Sequence, residues 1–193
     1  DFMKKCLIFA VMLFVAFAIN SQTYELVTSI NPSNDYNENI IWVDTYNGKV
    51  TPFFWNYNDS EYQLWGTSFP NFAGAKPGAE RYRMLTTQKK DGDYIYITNV
   101  IWFDTYAGVA QVYYWSSKNK RFELWSTYFP NFPNPTRSNS KRYELQIDFN
   151  PESGYIINIF WIDSVTGDAS AFYWNNDSSQ FEPWLLDFPS VNY

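Results

Sequence analysis

The sequence predicts an all-β protein built from three tandem repeats of about 60 residues, each a four-stranded antiparallel meander. Three observations predict it. Asn39 to Pro70, Asn99 to Pro130 and Asn158 to Pro189 align without a gap. All nine tryptophans occupy equivalent places, thirteen and then ten residues apart within each copy. Beyond the N-terminal segment, apolar residues never keep the spacing of three and four that an amphipathic helix needs.

Each unit opens on Tyr24-Glu25-Leu26-Val27, Tyr82-Arg83-Met84-Leu85 or Tyr143-Glu144-Leu145, followed by a turn rich in Asn, Pro, Asp and Gly. A strand led by Asn39, Asn99 or Asn158 then runs to Asp44, Asp104 or Asp163. An Asx side chain where a strand enters a turn accepts backbone N–H groups. Gly48, Gly108 and Gly167, four residues on, supply the positive φ of a bulged hairpin. The third strand closes on Trp55, Trp115 or Trp174, and after a polar turn the fourth leads to Trp65, Trp125 or Trp184. Aromatic and β-branched runs between such turns suit pleated, half-buried surfaces.

Three arrangements accommodate three meanders: a β-trefoil with a pseudo-threefold axis, propeller blades, or small sheets side by side. A propeller ring typically holds four to eight blades, so three would need a partner chain. Pro52 and Pro183 fall inside strands and are expected at sheet edges, because proline has no N–H to give a neighbour.

Met3-Lys4-Lys5 and the apolar run Cys6 to Ile19 read as a secretory signal peptide over residues 1–21. Asp1-Phe2 precede Met3 and read as non-native or upstream residues. The run falls short of the roughly 20 residues that a spanning helix needs. Cleavage is expected after Ala18 or Ser21, leaving 22–193 as a single domain of repeats 22–72, 82–132 and 143–193. Cys6 is the only cysteine, so the mature chain would be secreted or displayed at the cell surface without disulfides. It would also carry no membrane span. The net charge of −6 opposes a phosphate-tracking nucleic-acid binder. Charge is uneven: Lys and Arg are absent from 143–193, whereas Lys89, Lys90, Lys118, Lys120 and Arg121 lie in the middle repeat.

Histidine is absent, which removes Ser-His-Asp and Cys-His catalysis and zinc sites built on His. Glycine-rich phosphate loops are missing too. A glycosidase needs two placed acids, but the acids common to all copies are the turn aspartates. A non-enzyme without cofactor or resident metal is therefore expected. The turns Asp163 to Asp168 and Asn175 to Ser179 offer hard oxygens for calcium, without an EF-hand pattern.

Aromatic residues make up 22 % of the chain, and most of them must be core because aromatics bury large areas and the nine tryptophans obey the repeat, yet this is the one compositional feature that points outward. Period-two reading of the fourth strand places Gln63 beside Trp65, Glu123 beside Trp125 and Glu182 beside Trp184. An indole next to an amide or carboxylate suits a sugar ring, stacking on its C–H face while the neighbour bonds its hydroxyls. These six residues are the candidate ligand-binding set. The competing role for the three tryptophans is to cap the core at the Phe-Pro corner. The function expected is a secreted, non-catalytic binding module for a glycan or surface protein. The alternative is a structural or protein-interaction repeat of the envelope or extracellular matrix. Self-association fits either.

Overall fold

The computed structural model describes residues 23–31, 36–66, 69–92, 94–125 and 129–184, and every regular element in them is a strand. The expected signal segment and Phe188-Pro189-Ser190-Val191 lie outside these residues. The first sheet comprises β1 (Tyr24–Asn31), β2 (Tyr36–Asp44), β3 (Lys49–Asn56) and β4 (Glu61–Leu64). The middle sheet comprises β5 (Tyr82–Asp91), β6 (Tyr94–Asp104), β7 (Val109–Ser116) and β8 (Arg121–Leu124). The third comprises β9 (Tyr143–Phe149), β10 (Ile156–Asp163), β11 (Ala169–Asn175) and β12 (Gln180–Pro183). Each is an antiparallel meander in chain order, and no barrel closes among the described residues. No described helix is long and apolar enough to cross a membrane.

The hairpins form as their residues dictate. Asp44 Oδ1 accepts from the N–H of Tyr46 and of Asn47, both at 3.0 Å. Asp104 does the same for Tyr106 and Ala107, and Asp163 for Val165 and Thr166. Gly48 and Gly108 adopt φ of 64°. They also sit where a side chain could not, since a Cβ would lie 2.9 Å from Phe72 Cβ or 3.0 Å from Phe132 Cβ.

The sheets stack face to face in chain order. Each sheet has a leading face toward the preceding repeat and a trailing face toward the next. The middle sheet's leading face, with Tyr82, Met84, Val100 and Trp102, shares a core with Ile41 and Val43 of the first sheet. Its trailing face, with Ile101, Phe103 and Val112, shares a second core with Tyr143, Leu145, Ile159 and Trp161 of the third. Val100 to Phe103 are thus buried on both sides of one strand.

The Phe-Pro-Asn-Phe segments plug these junctions. Phe69, Phe72 and Phe132 are buried, and Pro70 O accepts the Trp102 Nε1–H at 2.7 Å. Pro130 O takes the Trp161 Nε1–H at 2.9 Å. Asn71 and Asn131 accept from the N–H of Val50 and Ala110, holding each plug to its own hairpin.

Pro183 lies in the edge strand β12, as expected, but Pro52 lies in the interior strand β3. Its carbonyl accepts from Trp65 N at 2.9 Å, so its nitrogen points to the same side, beyond the last residue of β4. No ladder bond is lost there.

A bulge recurs in the second strand of each sheet, at Glu38, Thr98 and Ile157. Bulges redirect a side chain, and two of these reach the next sheet. Glu38 Oε2 accepts the Ile95 N–H at 2.9 Å. Thr98 lies against Gly154, whose carbonyl also accepts from Thr87 Oγ1 at 2.7 Å and Asn99 Nδ2 at 2.9 Å. Gly154 has φ of 73°, and a Cβ there runs into Thr98 Oγ1. Gly154→Ala is expected to destabilise by about 2 kcal/mol in urea unfolding, from positive-φ strain plus the collision. An unchanged midpoint would show that this stitch does not hold the middle and third sheets together.

Candidate ligand-binding clefts

Two clefts occupy equivalent places, one in each junction, at the end of the stack away from the Asp-Gly hairpins. The cleft between the first and middle sheets encloses about 550 Å³ and that between the middle and third about 400 Å³. Both volumes fall in the range usual for small-molecule sites. A cavity of about 610 Å³ lined by residues of all three repeats, among them Ile30, Lys90 and Pro151, has no tryptophan in its described wall.

The first cleft is walled by Phe54 and Trp65 on the first sheet and by Tyr94, Tyr96 and Trp115 on the middle one. Its polar groups are Glu38, Asn39, Tyr57 and Lys120. The Glu38 carboxylate is held by the Tyr57 hydroxyl at 3.0 Å as well as by the Ile95 amide. The second cleft sets Trp125 against Trp174, ring centres 6.1 Å apart, with Tyr155 at its mouth. Asn150, Ser153 and Asn176 supply its polar groups.

Of the residues singled out in the sequence, Trp65 is half-buried, its ring 6.5 Å from Phe54 and 5.7 Å from Phe69. Trp125 is half-buried against Trp174 and Phe181, so each indole serves both the junction core and the cleft wall. Trp184 is 37 % exposed and contacts Phe160 on the trailing face of the third sheet. The three Trp-amide or Trp-carboxylate pairs stay in separate repeats and do not converge on one centre.

Their polar neighbours follow a pairwise rule. Across the last two strands Glu123 faces Tyr114 and Glu182 faces Tyr173, whereas Gln63 faces Phe54. Each carboxylate comes with a phenol that donates to it, at 3.0 Å for Tyr114 and 2.9 Å for Tyr173. The amide comes with a ring that cannot donate, and Gln63 instead bonds Asn56 and Asp59. Hydrogen bonds from Asn119 and Tyr114 hold the Glu123 carboxyl below its ordinary range. Bonds from Asn175, Ser178 and Tyr173 do the same for Glu182. Donation to these carboxylates raises both phenols. Carboxylates held this way accept hydrogen bonds at neutral pH and are poor proton donors, the reverse of a glycosidase acid.

Among the described residues no group of three or more His, Cys, Asp or Glu is placed to hold a metal ion. The two turns with calcium-type oxygens have other work. Asp163 pairs with Arg142 at 2.7 Å, and Asn175 Oδ1 accepts the Asp177 N–H of its own turn at 2.8 Å.

The sequence reading missed Tyr94, Tyr96 and Trp115 as cleft residues because they belong to the next repeat. The alternation Tyr94-Ile95-Tyr96-Ile97, with both isoleucines buried and both tyrosines exposed, was the available signal. No family model, no curated protein and no solved structure matches the chain.

Proposed function

We propose that this is a secreted or cell-surface, non-catalytic binding module whose inter-sheet clefts take up carbohydrate. The observation that supports it is the recurrence, in both junctions, of an aromatic-walled cleft carrying amide, hydroxyl or carboxylate groups. Ring walls match the C–H faces of a pyranose, and the polar rim matches its hydroxyls. Repeated weak sites on one rigid body gain avidity on a multivalent surface without any new contact.

Tyr96 carries the sharpest test, since it lines the first cleft and is exposed. On a glycan array the chain is expected to bind a defined set of sugars. Tyr96→Ala is expected to weaken that binding by about fivefold to tenfold, about 1 kcal/mol of aromatic contact, with the melting temperature unchanged. A blank array, with no shift in tryptophan emission on adding sugars, would leave the second reading. That reading is a structural or protein-interaction repeat of the envelope or matrix. It draws support from the half-burial of Trp65 and Trp125 and from the apolar end faces of the stack.

A further inference from the structure

Every junction among the described residues joins the trailing face of one repeat to the leading face of the next, and no described sheet lies against the first leading face or the last trailing face. On the first sheet's leading face Tyr24, Leu26 and Trp42 are 56, 52 and 50 % exposed. Their counterparts Tyr82, Met84 and Trp102 are 1, 2 and 0 % exposed, and Tyr143, Leu145 and Trp161 are 1, 4 and 1 %. On the third sheet's trailing face Ile162 is 44 % exposed, against 0 % for Val43 and 3 % for Phe103. Ile157, the third bulge residue, is exposed as well, where Glu38 and Thr98 reach a following sheet.

The first repeat keeps its half of such a junction. Trp42 retains the indole that Trp102 and Trp161 give to the preceding proline carbonyl. An indole there is not needed on a face that meets solvent, because a terminal repeat ordinarily turns a polar face outward.

We propose that two copies of this chain associate head to tail, the third sheet of each covering the first sheet of the other. Two such contacts would bring six sheets together, within the four to eight that close a propeller ring. The interface is heterologous at each contact yet closes by twofold exchange, so it ends at a dimer and not a fibre. It also completes a cleft. Trp184 would meet Trp55 of the partner subunit, as Trp65 shares a cleft with Trp115 and Trp125 meets Trp174. That last step rests on the carbohydrate reading, but the association does not.

Charge sets the strength of the contact. Glu25 and Arg83 pair at 3.9 Å along the opening strands, and Arg83 also draws on Glu144. The alternation breaks at the new junction, where Glu144 would face Glu25 of the partner subunit. Asp148 adds a charge where Ser29 and Thr87 are buried. The contact is therefore weaker than the internal junctions and tightens with added salt.

Sedimentation velocity of the full chain without sugar tests this. A monomer–dimer equilibrium is expected, favoured by salt. Trp42→Glu and Ile162→Glu, both at exposed positions, are each expected to weaken it at least about tenfold, as loss of a central apolar anchor does. Glu144→Gln is expected to strengthen it. An equimolar mixture of Trp42→Glu and Ile162→Glu chains is expected to recover dimers, because one of its two junctions is intact. A chain that stays monomeric at every concentration overturns the proposal. So does an Ile162→Glu variant that dimerises like the parent, which would mean that two first sheets meet each other. Because no sugar is present, a failed array and a failed association are separate results.

Discussion

Trp102→Ala is expected to cost about 3–5 kcal/mol of stability, and Trp42→Ala less than about 1 kcal/mol, although the two tryptophans sit in nearly identical sequence. The difference lies in stacking. Trp102 is fully buried between the first and middle sheets and gives its N–H to Pro70, whereas half of Trp42 faces solvent. Removing Trp102 opens a cavity against Phe72, whose ring is 6.5 Å away, and leaves the Pro70 carbonyl without its donor. Trp102→Phe separates the two costs, since it restores most of the volume and leaves about 1–3 kcal/mol for the orphaned carbonyl. A domain is stable by only about 5–15 kcal/mol, so the alanine change removes a large share. Urea unfolding at concentrations that keep chains single reads both variants. Equal losses at the two positions would mean that the first sheet's leading face is covered and the stacking order is wrong.

That contrast marks how far the sequence was legible. Strands, hairpins and the repeat followed from local chemistry, because Asp44 and Gly48 carry their instructions within five residues. What lies between repeats did not. Trp42, Trp102 and Trp161 look alike in a one-dimensional reading, and only the position of a repeat in the stack decides which is buried. Phe-Pro-Asn-Phe carries no local sign of its partner for the same reason: its rings are buried only because a following sheet receives them. Pro52 misled because edge character belongs to a residue and not to its strand; β4 simply ends before reaching it. Period-two reading put Gln63, Glu123 and Glu182 on the face of their tryptophans, but of those six residues only Trp65 and Trp125 line a cleft. The opposite wall comes from a strand some thirty residues away, beyond the reach of any local spacing.

Asp104→Ala is expected to cost about 3 kcal/mol, against about 1 kcal/mol for Asp44→Ala, although both carboxylates cap the same turn. Asp44 holds two backbone amides and the Asn47 side chain. Asp104 also receives Arg81 at 2.7 Å, in a pair whose side chains are 20 and 4 % exposed, and Thr23 stands in the place of that arginine in the first repeat. Deleting Asp104 leaves a largely buried guanidinium over Tyr82 and Tyr106 with no carboxylate, at the lower end of the buried-pair range because Arg81 keeps some solvent. Asp163 extends the argument to pH. Burial pushes its carboxyl up, but hydrogen bonds from Arg142 and from the Val165 and Thr166 amides outweigh burial and hold it below its ordinary value. A carboxyl lowered in the folded state stabilises above its unfolded value, about 3.9, and that contribution is lost as pH falls through the folded value. Asp163→Asn keeps the turn acceptor and removes the charge. It is expected to melt lower than the parent at pH 7 and to converge on it below about pH 4. Parallel melting curves across that interval would mean that the Arg142 pair contributes nothing, and that the turn alone holds the third hairpin.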